Sequence, residues 1–148
     1  MIYETRFNGV PVRFAKSQMG SSAPFIVVDD FVNAIGPCLS GFTAEMQERV
    51  VRDSIPELVD AEDKERVIVE AADNNGVYNL LPTVSCYHVI AMLQGFAGLE
   101  SHADKDLRQI AEDTDDFCAW FVKEFSRAQV ALGYSFDEFL DGLQSRNL

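Results

Sequence analysis

The first third of the chain alternates between short apolar runs and turn residues. Segments 2–7 and 10–15 alternate loosely between apolar and polar residues on either side of Asn8-Gly9. This dipeptide favours a two-residue hairpin because both residues take positive φ at low cost. The run Phe25–Val28 has the length and composition of a buried strand. Pro11 cannot donate a ladder hydrogen bond, so we predict a small antiparallel sheet whose second strand has an open edge there.

Two helices are predicted directly after this sheet. Asp29 or Asp30 is expected to cap the first, because a carboxylate there can accept the unpaired N–H groups of the first turn. Gly36-Pro37 is expected to end it, with the glycine in the left-handed conformation and the proline unable to continue the helix. The second helix is predicted over residues 43–52, with acids early and bases late, as the helix dipole prefers.

The middle of the chain again reads as strands followed by a helix. The β-branched run 67–69 predicts a strand, and a turn signal at 74–76 leads to a further strand over 77–81. Pro82-Thr83 is expected to open a helix that continues to about Gln94, with an apolar stripe at helical spacing.

The last third is predicted to be helical. Apolar residues fall three and four apart from Ser101 to Leu132, which indicates one long helix or two. The acidic run 112–116 is a candidate break, with Asp115 or Asp116 capping the second part. A capping box at 135–138 predicts a final helix to about Leu143.

These elements predict an α+β fold, with small antiparallel hairpins packed on helices and followed by a helical C-terminal segment. Gly95 and Gly98 mark the best candidate boundary. We therefore expect an α+β domain over residues 1–98 and an acidic, aromatic-rich helical segment over residues 99–148.

The charge narrows the choice of partners. The 148 residues include 24 acids and 12 bases, for a net charge of -12, and the excess is divided equally between the two predicted parts. Proteins that grip nucleic acid without regard to sequence usually bring clusters of Lys and Arg, and this chain has none. The acidity permits a basic partner, such as the DNA-binding face of another protein. Alternatively, it only keeps the protein in solution.

Composition also suggests the compartment. The three cysteines form no Cys-x-x-Cys unit, which fits core thiols in a reducing cytoplasm. No apolar run of about 18 residues predicts a membrane span. The N-terminus lacks the basic start and apolar block of a signal peptide.

The sequence offers little reactive chemistry. Neither glycine-rich phosphate-binding motif is present. Cys86 and His88 are two residues apart, so on a helix their side chains do not face each other as a catalytic pair requires. His102 is the other histidine, and no spacing of ligands predicts zinc. Cys38 follows a proline in a turn and has no identifiable partner. We predict no catalytic residue, no metal site and no cofactor.

Four short blocks follow one another between about Tyr3 and Gln94. They are Phe7-Asn8-Gly9 with Val12-Arg13, Pro24-Phe25-Ile26-Val27 with Asp30-Phe31-Val32, Ala34-Ile35-Gly36, and Gly76-Val77-Tyr78 with Leu80-Leu81-Pro82. Together they resemble the N-terminal domain of phage antirepressors and the related Bro-N domain. That family opens with a similar hairpin, followed by an aromatic-apolar strand and a short helix ending in Gly. A glutamine-containing helix such as Glu45-Met46-Gln47-Glu48-Arg49 comes next, and a late Leu-Pro run precedes a further helix.

The resemblance implies a non-enzymatic regulatory protein that binds and inhibits a repressor or another basic DNA-binding protein. Two alternatives stay open: a Bro-N-type DNA-binding module, and an acidic DNA mimic that inhibits a host defence or transcription enzyme. The first alternative would use Arg6, Arg13, Lys16, Arg49 and Arg52.

The expected partner-binding side chains are acids from two clusters and the single tryptophan. Because aromatic residues are dense in the C-terminal part, a homo-oligomer through these helices is a further expectation. The candidate binding residues are Asp60, Glu62, Asp63, Asp113, Asp115, Asp116 and Trp120.

Overall fold

The computed structural model describes residues 2–16, 23–54, 66–72 and 78–134. The strands within these ranges are β1 (Ile2–Phe7), β2 (Val10–Ala15), β3 (Phe25–Val27), β4 (Arg66–Ala72) and β5 (Tyr78–Ser85). The helices are α1 (Val28–Ile35), α2 (Ala44–Ser54), α3 (Cys86–Ala97), α4 (Lys105–Asp113) and α5 (Asp115–Ala131), with short 3-10 turns at Gly36–Cys38 and Gly98–Ser101.

The strands form an antiparallel sheet in the order β1-β2-β3-β5-β4, which together with the helices confirms the predicted α+β class. The β1–β2 hairpin turns at Asn8 (φ 48°) and Gly9 (φ 83°), as their residue types predict. Strand β3 pairs with β2 at Phe14 and Ala15, so Pro11 lies beyond the described β2–β3 pairing.

Helix α1 begins differently from the prediction. Its N-cap is Val27, and no side chain caps it, so the prediction that Asp29 or Asp30 caps the helix was wrong. The carboxylate of Asp30 instead accepts hydrogen bonds from Arg13 on the neighbouring strand. The predicted left-handed end was also wrong, because Gly36 has φ −50° and the chain continues into a 3-10 turn.

Helix α3 starts later than predicted. Thr83 and Val84 pair with β3, so sheet pairing extends β5 through Ser85 and the predicted helix start at Pro82-Thr83 was wrong. The side chain of Ser85 is the cap, since its hydroxyl oxygen accepts the Tyr87 N–H at 3.3 Å.

The C-terminal helical region is broken at Thr114. Its hydroxyl donates to the Ile110 carbonyl at 2.8 Å, and its backbone joins α4 to α5. Asp115 and Asp116 lie in the first turn of α5 and neither caps it, so the predicted break was right in place and wrong in mechanism. The predicted last helix over 135–143 lies outside the described residues.

An aromatic core joins α5 to the sheet and to α1. Phe117 is fully buried and lies 5.1 Å from Phe7 and 5.6 Å from Phe31, measured between ring centroids. One turn further on, buried Phe121 packs 6.1 Å from Phe14. Side chains from both sides of Gly98 therefore share one core, while the division into two domains at that residue stays a prediction.

Candidate functional site

The predicted acidic residues fall into two groups. Asp60, Glu62 and Asp63 lie outside the described residues. Asp115 and Asp116 are exposed at the start of α5, and Asp113 is half-buried at the end of α4. We refer to Asp113, Asp115 and Asp116 as the acidic junction.

A side chain of α4 contacts the acidic junction, and the charged residues around the junction are all negative. The side-chain amide of Gln109 donates to Oδ1 of Asp113 at 2.8 Å. Between residues 110 and 122 the chain carries four acids and no Lys or Arg. Asp115 and Asp116 also stand at the N-terminal, partially positive end of α5, where carboxylates are favoured. The junction is therefore a compact negative surface on an ordered helix end.

The junction and the core together suppress thiol reactivity. Burial, followed by the charges of Asp116 and Asp113, raises the pKa of Cys38, whose Sγ lies 3.9 Å from the Ala34 carbonyl oxygen. Burial and then Asp115 raise the pKa of Cys118. Because the thiolate is the nucleophilic form, these two thiols are disfavoured as nucleophiles.

The third thiol, Cys86, is disfavoured as a nucleophile for the same reason. Complete burial raises the pKa of Cys86 well above its ordinary value. His88 is half-buried on α3, whereas exposed His102 accepts the Asp104 N–H through Nδ1 at 3.0 Å. Over the ranges that the structure describes, no group of three metal-ligating side chains comes together.

Trp120 is an anchor between α5 and the hairpin. Its Nε1–H donates to the Arg6 carbonyl at 3.0 Å, and its ring lies 5.2 Å from Phe7 and 5.3 Å from Phe117 between centroids. The indole is half-buried. These contacts of Trp120 are intramolecular, and its role in partner binding stays a prediction.

A buried carboxylate, that of Glu124, connects the second half of α5 to β1. The Tyr3 hydroxyl donates to Glu124 at 2.7 Å, and Arg127 donates to its second oxygen at 2.8 Å. Burial alone raises the pKa of Glu124, but the Tyr3 hydrogen bond and the Arg127 charge outweigh it, so its pKa lies below the ordinary value. Burial and the same hydrogen bond raise the pKa of Tyr3. The hydrogen bond between Tyr3 and Glu124 turns this side of α5 toward the sheet, so the opposite side faces solvent.

That solvent-facing surface borders an apolar groove between α3 and α5, which we call the α3–α5 groove. Its volume is about 390 Å³. Val122 and Val130 on its rim are 65% and 81% exposed, so the apolar surface of the groove continues out to the solvent. The groove is lined by Ile90, Phe121, Val122, Phe125, Ser126, Gln129, Val130 and Tyr134.

The α3–α5 groove contains a buried side-chain amide, that of Gln129. Gln129 is 9% exposed, and its Nε2 makes no hydrogen bond to any residue that the structure describes. Ser126 is satisfied, because its hydroxyl donates to the Val122 carbonyl at 3.2 Å. The sequence pattern alone did not predict this groove. The available signal was the ridge Val122-Ser126-Val130, whose members lie four residues apart along α5, beside the stripe of phenylalanines.

Every helix in the described part of the chain falls short of the length and apolarity that crossing a lipid bilayer requires. No protein-family model matches this chain, and neither a curated protein nor a solved structure has significant similarity to it. The resemblance to antirepressor N-terminal domains therefore stays a prediction.

Proposed function

We propose that this protein is a non-enzymatic regulatory protein of the phage or prophage type, which binds and inhibits another protein in the cytoplasm. The observation that carries the proposal is the acidic junction, where Asp115 and Asp116 are exposed beside half-buried Asp113. Such a surface favours a basic partner, namely a repressor or another DNA-binding protein. Binding would cover the partner's DNA-contacting face and would be stoichiometric.

The charge of the junction acts mainly on the rate of encounter. A negative surface on a protein of net charge -12 attracts a basic partner over a Debye length of about 10 Å at moderate salt. Rim charges of this kind change the association rate more than the dissociation rate. The affinity itself then depends on contacts that form after docking.

Intramolecular contacts support a protein partner over direct binding of DNA. Arg13 is held by both oxygens of Asp30, Arg6 donates to the Gly9 carbonyl at 3.1 Å, and the ammonium of Lys16 lies 5.2 Å from the Tyr134 ring centroid. Three of the five bases that a Bro-N-type module would use are thus already engaged. A DNA contact there would compete with these interactions.

The proposal includes a homo-oligomer through the C-terminal helices, since the exposed valines of α5 leave an apolar surface in contact with water. Binding of the regulated partner and self-association would then use different parts of α5.

Affinity capture from bacterial lysate, followed by mass spectrometry, tests the proposed partner class. The bait is the full chain, compared with a variant carrying Asp115→Asn and Asp116→Asn. We expect the wild type to enrich basic DNA-binding proteins of the repressor type, and the variant to lose most of that enrichment in moderate salt. A Met46→Lys variant is the control, because it also makes the net charge less negative, by one unit instead of two, at an exposed residue of α2.

The two alternative functions, a DNA mimic and a Bro-N-type DNA-binding module, predict different results. Enrichment of a defence or transcription enzyme would instead support a DNA mimic. A gel shift of duplex DNA by the purified protein in low salt would support the Bro-N-type alternative. Equal capture of basic proteins by the wild type and the junction variant would remove the acidic junction from the binding site.

A further inference from the structure

The exposed ridge on α5 has a shape suited to contact with another helix. Val122, Ser126 and Val130 follow one another at intervals of four, so they form one of the ridges through which helices interdigitate. The small Ser126 lies between two exposed valines and allows close approach at the centre. The α3–α5 groove beside this ridge offers the complementary recess.

The local charge at this surface differs from that of the whole molecule. Helix α3 contains no Asp, Glu, Lys or Arg. In α5 beyond Phe121, the exposed charged residues are Lys123 and Arg127, whereas Glu124 is buried. A basic partner gains nothing electrostatically at such a surface. Two copies of this acidic chain can meet here without bringing carboxylates together, although their net charges of -12 repel over the rest of the surface.

Gln129 supplies a polar group that suits a two-fold contact. Its Nε2 lacks a hydrogen-bond partner in the described part of the chain. An unpaired buried donor costs free energy, and an acceptor from a second molecule would remove that cost. A side-chain amide both donates and accepts, so two glutamines related by a two-fold axis can satisfy each other.

From these observations we propose that the α3–α5 groove is the dimer interface of this protein. The ridge of one copy packs into the groove of the other, and the two Gln129 amides pair across the two-fold axis. This inference rests on the self-association included in the proposed function and names its surface.

Sedimentation velocity of the full chain, at concentrations up to about 1 mM, measures the dimer directly. We compare the wild type with Val130→Lys, which places a charge in the proposed interface. Because Val130 is 81% exposed, this variant is expected to fold normally. We expect the dimer dissociation constant to rise about 100-fold or more, since an unpaired ammonium would be buried on association.

Met46→Lys is the matched control, because it makes the same kind of change at another exposed apolar residue and should leave the dissociation constant unchanged. A wild-type protein that stays monomeric throughout would overturn both the self-association and the interface. A wild-type dimer that Val130→Lys leaves intact would overturn the interface alone. Neither result bears on the acidic junction, which the capture experiment tests separately.

A Gln129→Glu variant tests the amide pair. At neutral pH two carboxylates would face each other across the axis, and we expect a dimer at least about 10-fold weaker than that of the wild type. Protonation in mild acid should strengthen association in this variant by more than it does in the wild type, where only the general repulsion between acidic copies is relieved. Circular dichroism at each pH verifies that both proteins are folded. A dimer of Gln129→Glu whose pH response matches that of the wild type would contradict the pairing.

Discussion

The pair formed by Arg13 and Asp30 offers the sharpest test of how the hairpin is attached to α1. Asp30 Oδ2 accepts the backbone N–H of Arg13 at 3.1 Å and its Nε–H at 2.7 Å, while Oδ1 accepts from Nη2 at 2.9 Å. The two side chains are only 21% and 11% exposed. The hydrogen bond to Asp30 raises the pKa of Arg13, so the guanidinium stays charged throughout the working range.

The magnitude follows from what Asp30→Ala leaves behind. Removing one partner of a buried ion pair typically costs about 3–5 kcal/mol, because the remaining charge is desolvated and unpaired. Water can still reach part of the guanidinium, so we expect the lower end, about 3 kcal/mol of unfolding free energy. Asn33→Ala is the control. It truncates an exposed polar side chain three residues later on α1 and should cost about 1 kcal/mol or less.

A double-mutant cycle separates the side-chain pair from the backbone contact. Arg13→Ala removes the guanidinium and keeps the backbone N–H that Asp30 accepts. We expect a coupling free energy of about 2 kcal/mol between Arg13→Ala and Asp30→Ala. Asp30→Ala should still cost about 1 kcal/mol in the Arg13→Ala background, because the backbone donor is then unpaired.

Urea unfolding provides the assay, followed by far-ultraviolet circular dichroism and by the fluorescence of Trp120, the only tryptophan. Agreement between the two probes supports a two-state analysis. A coupling free energy below about 0.5 kcal/mol would refute the reasoning, since that is the range of exposed ion pairs.

Three further outcomes follow from local geometry. Gly9→Ala should destabilise the protein by about 1 kcal/mol, because Gly9 has φ 83°. Gly95→Ala in α3 should stabilise it by a similar amount, because the added Cβ would enter open space. Urea unfolding of both variants checks these opposite signs. Because folding lowers the pKa of Glu124, its carboxylate stabilises the protein at pH values above the ordinary pKa of 4.5, and this stabilisation is lost as the pH falls through the lowered pKa of the folded state. Tyr3→Phe should make this loss smaller, and measurement of the unfolding free energy against pH checks it. Ser85→Ala removes the α3 cap and should lower the unfolding free energy by about 1 kcal/mol, and a cost near zero would contradict that role.

Local patterns in the sequence predict much of the fold. Asn8-Gly9 specifies its own turn, and the β-branched run near residue 67 lies within β4. The aromatic spacing of α5 predicts its buried side, because Phe117 and Phe121 repeat at helical intervals. These signals depend on residues that are neighbours in the chain, and this is why they can be read without the tertiary structure.

The errors occur where a distant contact outweighs a local preference. Asp30 has the residue type and position of a helix cap, but Arg13 lies near it in space and engages its carboxylate. Thr83 follows a proline as a helix start would, yet pairing with Val27 keeps it in the sheet. The α3–α5 groove likewise forms only where two helices meet. The sequence pattern of α5 indicates the ridge Val122-Ser126-Val130, but it does not indicate the groove beside it.

The charges of the acidic junction could be predicted from composition, and their exposure could not. Asp115 and Asp116 are exposed because Phe117 turns into the core and fixes the first turn of α5. Asp113 is half-buried, and Gln109 on the preceding turn donates to its Oδ1. The expected role of Trp120 illustrates the same limit, since its hydrogen bond to Arg6 spans more than a hundred residues of sequence.

The most direct test of the central claim is the salt dependence of binding between this protein and the basic partner recovered by capture, measured by surface plasmon resonance. We predict that the association rate of the wild type falls steeply as salt rises, and that Asp115→Asn with Asp116→Asn lowers both the rate and its salt dependence while the dissociation rate changes little. Identical association rates and identical salt dependences for the two proteins would contradict the proposal that the acidic junction guides a basic protein to this chain.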